Sequence, residues 1–220
     1  MMVRRGLADG VVGGLGRAYK HTLRPALKVL GTQKDTHVVS GTYAMVLGNR
    51  KIFFGDCTVN VNPTSEQLAQ IALNTARVAE AFGQQPRVAM LSYSDFGEHR
   101  GDADVDSVSE AVRIVRERRP DLEIDGEMQA DTALLWEKVR DDFPFSTLTG
   151  PANVLVFPNL TAGNIAYKLV EHLSGAEAVG PLLTGIGGPV NVIPVHASVT
   201  EIANVAAYTA LQAIHADDRR

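Results

Sequence analysis

Near the end of the chain, in VNVIPVHASVTEIANVAAYTALQA (190–213), His196 stands two residues before Ser198 and five before Glu201. Those three types can supply a nucleophile, its base and an orienting acid, the histidine taking the serine proton while the glutamate fixes the ring. The same spacing also begins a helix. In Ser198-Val-Thr-Glu201 the serine oxygen can accept a backbone N–H one turn in, while the glutamate reaches back, a capping box worth about 1 kcal/mol. A capping hydroxyl is already committed, and no nucleophile-elbow pattern surrounds this serine. The cap is the preferred reading.

Other chemistry is excluded more simply. The glycine clusters GVVGGLG (10–16) and GPLLTGIGGP (180–189) lack the Walker spacing with its terminal Lys-Ser/Thr. They also lack the dinucleotide fingerprint with an acid about twenty positions on. They read as turn glycines. The six histidines are scattered, and Cys57 is the only cysteine, which excludes a disulfide framework and a cysteine-rich zinc site. No metal is expected.

The elements that must position any site alternate in type. TSEQLAQIALNTARVAEAFGQQP (64–86) is the clearest helix, with Thr64 and Gln67 as a capping box and Gly83 as a left-handed stop. Val88–Leu91 follows as a buried strand ending in polar Ser92-Tyr93-Ser94. Next come a helix carrying Val108, Ala111, Val112 and Val115, a strand in LEIDGEM, and a helix over QADTALLWEKVRDD (129–142). ANVLVFPNL (152–160) is a strand stopped by Pro158. The helix after it repeats Ile165, Leu169 and Leu173 and closes at Gly175. In the last helix Val199, Ile202, Ala203, Ala206, Ala210 and Ile214 share a face. Earlier, TYAMVLGNRKIFFGDCTVNVNP (42–63) predicts a hairpin turning at Gly48-Asn49 that carries Asp56 and Asn60 toward one end. Apolar strands alternating with amphipathic helices predict an α/β fold with a mostly parallel sheet, whose ligands sit at the carboxyl ends of the strands. The polar segments there are 92–97, 125–131, 159–164 and the loop before Ser198.

At 220 residues and 45% hydrophobic, the chain can bury one ordinary core or two small lobes. A formal net charge of -4 gives no electrostatic reason to propose nucleic acid, and Arg116, Arg118 and Arg119 read as a solvated helix end. No run approaches the ~20 apolar residues of a membrane span. The basic opening, with Asp9 and many glycines, reads as folded protein rather than a transit peptide. A reducing cytoplasm fits best.

Several ordered segments, LRPALKVLGT (23–32), DGEMQADTAL (125–134), GPANVLVFPNLTAGNIAYKL (150–169) and GAEAVGPLLTGIGGPVNV (175–192), resemble the phosphate acetyl/butyryltransferase family. Arg17-Ala18-Tyr19, where stand-alone transferases usually carry paired threonines, resembles more narrowly the version fused to bacterial NADP-dependent malic enzymes. SYSDFG (92–97) points the same way. The resemblance covers nearly the whole chain. It implies a two-lobed α/β fold related to the isocitrate-dehydrogenase-like fold, spanning 1–220 as one partial domain, with acetyl-CoA in the cleft between the lobes. It also implies that about the first hundred residues of a typical transferase domain are absent, as are the malic portions that would carry NADP and a divalent metal, so that the chain cannot oxidise malate by itself. No cofactor is expected in this chain, with acetyl-CoA as its ligand. A homo-oligomer is expected from the family's pairing through this lobe, and the small residues of the last helix would suit a subunit interface or the core.

Carried over position by position, the resemblance places Ser92, Ser94, Gln129, Asp131, Asn159, Asn164, Tyr167 and Lys168 in the cleft. Hydroxyls, amides and loop N–H groups suit a phosphate or the CoA arm. Lys168 reads equally as an anion partner or a solvated helix lysine, and Asp131 as a ligand or a first-turn acid. One departure stands out. Active members carry Ser-Arg-Gly before the last helix, where this chain reads Pro194-Val195-His196, while the acid six positions beyond the arginine persists as Glu201. Loss of a guanidinium from a site that develops negative charge should cost a few kcal/mol of transition-state stabilisation. The expectation is therefore a degenerate, acetyl-CoA-sensing domain, with Glu201 vestigial and His196 the remaining candidate. The rival is an active phosphate acyltransferase, and a third option is a purely structural dimerisation domain.

Overall fold

A computed structural model describes residues 1–16, 19–34 and 36–217 of the chain. After a short 3-10 turn at Val3–Arg5, β1 (Val11–Gly14) leads to α1 (Lys20–Leu30). The predicted hairpin forms as β2 (Ser40–Leu47) and β3 (Arg50–Gly55), with Leu47 opposite Arg50. Gly48 takes a positive φ of 58° at its turn. α2 (Ser65–Ala81) follows, and its capping box is complete: the Gln67 N–H donates to Thr64 Oγ1, and the Thr64 N–H to Gln67 Oε1. Then come β4 (Arg87–Leu91), α3 (Ala103–Arg118, N-capped by Asp102) and β5 (Glu123–Met128). α4 (Ala130–Leu134), α5 (Trp136–Asp142), β6 (Val154–Val156) and α6 (Leu160–Ser174) lead on to β7 (Glu177–Thr184), β8 (Val190–Ile193) and α7 (Val199–Asp217).

The large sheet runs β5-β4-β6-β3-β2-β7. β5, β4, β6 and β3 are mutually parallel, and only β2 opposes both of its neighbours. This is the mostly parallel α/β sheet expected from the alternation of elements. It brings the segments after Gly55, Leu91, Met128 and Val156 to one edge. Successive side chains of its strands take opposite faces. Ala44, Phe53, Val154 and Val156 join α2 and α3 in one core, while Tyr43, Met45, Phe54 and Leu155 pack on the other face with Tyr167 of α6.

A second sheet pairs β1 with β8 in parallel, from Val11 opposite Val190 to Gly14 opposite Ile193. Two parallel strands have little stability alone. Here α1 and α7 hold them. Leu23, Leu27 and Leu30 pack with Val39, Leu183, Val190 and Val192. Buried Asn191 knots the arrangement: its Oδ1 accepts from the Leu183 N–H at 2.7 Å, and its Nδ2 donates to Thr209 and Gln212 at 2.9 and 2.7 Å.

Three expectations are corrected. The single helix expected over 129–142 breaks at Leu135, whose backbone leaves the helical region (φ -98°, ψ 89°). The break lets both Leu134 and Trp136 pack on the second core, and Lys138 reaches back across it to Asp131 at 2.7 Å. The Ile165-Leu169-Leu173 stripe faces outward at 54, 53 and 81% exposure, because α6 seats Gly163 and Tyr167 on the sheet instead. The apolar face read along α7 is likewise open at Val199, Ala203, Ala206, Ala210 and Ile214, while Val205, Tyr208 and Thr209 turn inward. No helix among the described residues is long and apolar enough to cross a membrane.

Phe53 lies fully buried in a central strand, edge-on to Phe82 at 5.5 Å between ring centres. Phe53→Ala is expected to lower unfolding stability by about 3–5 kcal/mol, read as a shifted urea midpoint at unchanged slope.

Candidate active site

The carboxyl edge of the large sheet is organised around buried carboxylates. Asp56, 3% exposed, follows β3 and folds the next four residues around itself. Its Oδ1 accepts the N–H groups of Gly41, Thr58 and Val59 at 3.0, 2.9 and 3.2 Å. Its Oδ2 accepts the N–H and side-chain amide of Asn60 at 2.9 and 2.6 Å. Burial raises the Asp56 carboxyl above its ordinary value, while the donors from Thr58, Asn60 and Gly41 oppose that rise. Asn60 also donates to Val39 O at 2.8 Å, tying the loop to the start of β2.

The N-terminal half of α6 packs directly on this loop. A Cβ at Gly163 would stand 2.7 Å from Asp56 O and 3.2 Å from Cys57 Sγ, so only glycine fits there. Asn159 caps the helix, its Oδ1 accepting from Ala162 N–H at 3.0 Å, and Asn164 Nδ2 donates to Cys57 O at 3.2 Å. Tyr167 stacks on Tyr43 with ring centres 4.1 Å apart. Lys168 Nζ lies 5.8 Å from the Tyr167 ring centre and is exposed. Asn159, Asn164 and Tyr167 are thus engaged in seating α6 on this loop and the sheet, while Lys168 presents its charge outward.

From the opposite side comes Tyr19, at the start of α1. Its phenol sits beside Thr58 and Asp56, and both the Tyr19 and Thr58 hydroxyls are buried without a hydrogen bond in the structure. Burial chiefly, then the Asp56 charge, pushes the Tyr19 phenol up, with Thr58 opposing. The neighbouring Arg17 and Ala18, which carried the malic-enzyme likeness, lie outside the described residues.

The other expected residues form a second group, around β4 and β5. Glu127, 2% exposed, takes the Ser94 hydroxyl at 3.2 Å together with Gly97 N–H and the Ser109 hydroxyl. Ser94 Oγ in turn accepts from His99 N–H at 3.2 Å, so this hydroxyl is spent inside the fold. Ser92 is half-buried, and its oxygen accepts from Ser94 N–H at 3.4 Å. Asp95 holds the Gln129 N–H at 2.8 Å and the Thr132 hydroxyl at 3.1 Å, fixing Gln129 at the head of α4. Asp131 is exposed, and the hydrogen bond from Lys138 holds its carboxyl below the usual value. Among the described residues no hydrogen bond links this group to Asn159, Asn164, Tyr167 or Lys168. Asp95 and Glu127 escaped the sequence reading. The available signal was an acid in each polar segment at a strand's end, Asp95 four residues after Leu91 and Glu127 beside the last residue of β5.

The third group lies where β8 ends. Ser198 N–H donates to Glu201 Oε2 at 2.7 Å and Glu201 N–H to Ser198 Oγ at 3.2 Å. The capping box read from the sequence is therefore present, and no Ser-His pair forms. Val195 and His196 are exposed and half-buried Pro194 precedes them. Among the described residues no group of three or more His, Cys, Asp or Glu side chains is placed to hold a metal ion.

A mostly parallel sheet whose carboxyl edge carries polar loops, beside a small β1-β8 sheet, is an α/β scaffold of the class that places ligands at the carboxyl ends of its strands. The phosphotransacetylase of Streptococcus pyogenes superposes with a TM-score of 0.93 at 40% identity, covering 97% of this chain and 65% of that one. Residues 1–210 match the phosphate acetyl/butaryl transferase family, and the chain belongs to that family. The phosphate acetyltransferase of Nitratidesulfovibrio vulgaris is 46% identical over 213 residues, 97% of this chain but 30% of that protein. The Bacillus subtilis phosphate acetyltransferase is 41% identical over 214 residues, 97% of this chain and 66% of that protein. The chain therefore spans less than two thirds of the length of these relatives. They bear the family resemblance out; none of them carries the narrower likeness to malic enzymes.

Two outcomes are expected here. Asp56→Ala strands five donors, four of them main-chain, and should destabilise the protein by roughly 3 kcal/mol, measured by urea denaturation. Cys57 is fully buried and burial pushes its thiol well above the ordinary range. Iodoacetamide at about pH 8 should leave it unlabelled in the native protein and modify it once denaturant is added.

Proposed function

We propose that this protein contributes a phosphate acyltransferase site, converting acyl-CoA and inorganic phosphate to acyl phosphate and CoA. The observation that carries the reading is the continuous family match over residues 1–210, to which relatives that are phosphate acetyltransferases add support. In the reaction a phosphate oxygen attacks the thioester carbonyl carbon, the C–S bond breaks, and the departing CoA thiolate takes a proton. Two charge problems must be solved: holding a dianion beside a developing oxyanion, and protonating the thiolate. Lys168, exposed beside the Tyr167 ring, suits the CoA phosphates. The Tyr19 and Thr58 hydroxyls can donate toward an oxygen lying between the two sheets. Asp56 keeps the intervening loop rigid, so these donors are preorganised.

A second reading draws on the β8–α7 junction. No guanidinium stands at position 195, and Glu201 is engaged in a helix cap. These features favour a domain that binds acetyl-CoA without turnover, as a regulatory and assembly module of an NADP-dependent malic enzyme; the effector would act by binding one conformation better than another.

Release of CoA thiol from acetyl-CoA, followed with and without phosphate, separates the two. The transferase reading expects phosphate-dependent release, with Lys168→Ala raising the KM for acetyl-CoA about tenfold and leaving kcat nearly unchanged. Saturable acetyl-CoA binding by calorimetry with no phosphate-dependent release would overturn it in favour of the regulatory reading.

A further inference from the structure

Three buried side-chain atoms among the described residues lack a hydrogen bond, and two of them, Tyr19 Oη and Thr58 Oγ1, adjoin at the Asp56 loop. Buried hydroxyls left unpaired are costly and uncommon, and two side by side call for a cause. They are near enough for Thr58 to act on the Tyr19 phenol, yet they do not meet as donor and acceptor.

The two side chains are held very differently. Thr58 is fixed from both ends. Its N–H donates to Asp56 Oδ1 at 2.9 Å. Its Oγ1 lies 2.0 Å from where a Cβ of residue 41 would stand, so it has room only because that residue is Gly41. Tyr19 follows a strained connection instead. Gly14, Leu15 and Gly16 take φ of 129°, 45° and 85° in succession. A leucine rarely adopts such a φ, and Leu15 is 54% exposed, so packing does not offset the strain. Strain of this kind collects at ligand clamps and switch regions. The glycines of the 10–16 cluster thus supply a joint at which Tyr19 can part from Thr58 and return.

We propose that Tyr19 and Thr58 form a clamp for the thioester carbonyl oxygen of acyl-CoA, opening at the 14–16 joint and closing with both hydroxyls donating to that one oxygen. The clamp rests on acyl-CoA being the ligand, as proposed above. One acceptor at hydrogen-bonding distance from both hydroxyls gives each the partner it lacks. Burial, aided by the Asp56 charge, keeps the phenol above its ordinary value, so Tyr19 retains its proton and donates. A phosphate dianion fits this place poorly, because the buried Asp56 carboxylate repels it and neither hydroxyl carries charge to compensate. An uncharged carbonyl oxygen enters without that repulsion. As the phosphate oxygen attacks the carbonyl carbon, the C=O electron pair moves onto the clamped oxygen. The pair returns as the C–S bond breaks and the thiolate leaves with that bond's electrons. Both hydroxyls keep their protons throughout and bond most strongly when the oxygen is most negative.

Calorimetry of the 220-residue protein with acetyl-CoA and with S-ethyl-CoA, which has CH2 in place of the carbonyl, tests the clamp without turnover. Acetyl-CoA should bind at least about fivefold more tightly. That preference should vanish in Tyr19→Phe/Thr58→Ala and persist in Thr58→Ser. In phosphate-dependent release of CoA thiol, Tyr19→Phe should lower kcat about 100-fold with KM for acetyl-CoA within twofold. Its urea midpoint should not fall, since the lost hydroxyl has no partner in the resting fold, whereas a merely structural hydroxyl would lower it. A carbonyl preference equal in the wild type and the double variant, or no saturable acetyl-CoA binding at all, overturns the clamp. Phosphate-dependent release that survives Tyr19→Phe at full kcat, with the preference unaltered, leaves the transferase reading standing and removes the clamp. A carbonyl preference lost in the double variant, with no phosphate-dependent release, removes the transferase reading and leaves the clamp as a recognition device.

Discussion

One buried carboxylate organises the centre of this protein. Asp56 gathers five donors at 2.6–3.2 Å and so dictates the path of the chain leaving β3. Because that path is fixed, the start of α6 can close to backbone contact at Gly163, Asn164 can reach Cys57 O, and Tyr19 can lean in from the small-sheet side. An aspartate is needed because the loop presents main-chain N–H groups rather than carbonyls, and only an acceptor with two oxygens satisfies so many at once. A parallel sheet leaves such loops at its carboxyl edge without strand partners, and the side chain supplies what the sheet does not.

The same device recurs along the edge. Glu127 and Asp95 hold the loops after β4 and β5, and Asp125 takes Arg116, Ser146 and the Thr147 N–H at 2.6, 2.9 and 2.7 Å. Residues that look like ligands for a substrate, Ser94 above all, turn out to be partners of these acids. The groups proposed to meet an anion are a small set: Lys168, the buried Tyr19 and Thr58 hydroxyls, and the main chain they border. A transferase site of the kind proposed would rest on few groups held rigidly, with no guanidinium contributed at residue 195.

Much of this was legible in the sequence. The hairpin at Gly48, the Thr64–Gln67 box, the strand at 88–91 and the Ser198–Glu201 cap each follow from local chemistry, and the structure contains all four. What sequence missed was decided at a distance. Helical periodicity along α6 and α7 identifies a stripe but not the side the sheet will occupy. In α6 the small Gly163 allowed the closest approach and overruled the leucines. Leu135 breaks a segment of good helix formers because Leu134 and Trp136 both find the second core, a gain that no local propensity records. The site residues after β4 and β5 carried suitable chemistry, yet their hydroxyls and amides were spoken for by acids more than thirty positions away.

Gly163 gives α6 two mutational regimes within little more than one turn. At position 163 the neighbour is main chain that cannot step aside, and any side chain there would have to move Asp56 and everything folded around it. Five residues on, Lys168 stands in solvent, where the helix itself asks for almost nothing. Variation can therefore accumulate at the outer positions of the helix without disturbing the loop beneath. The fold thereby separates the residues that can drift from the one that cannot.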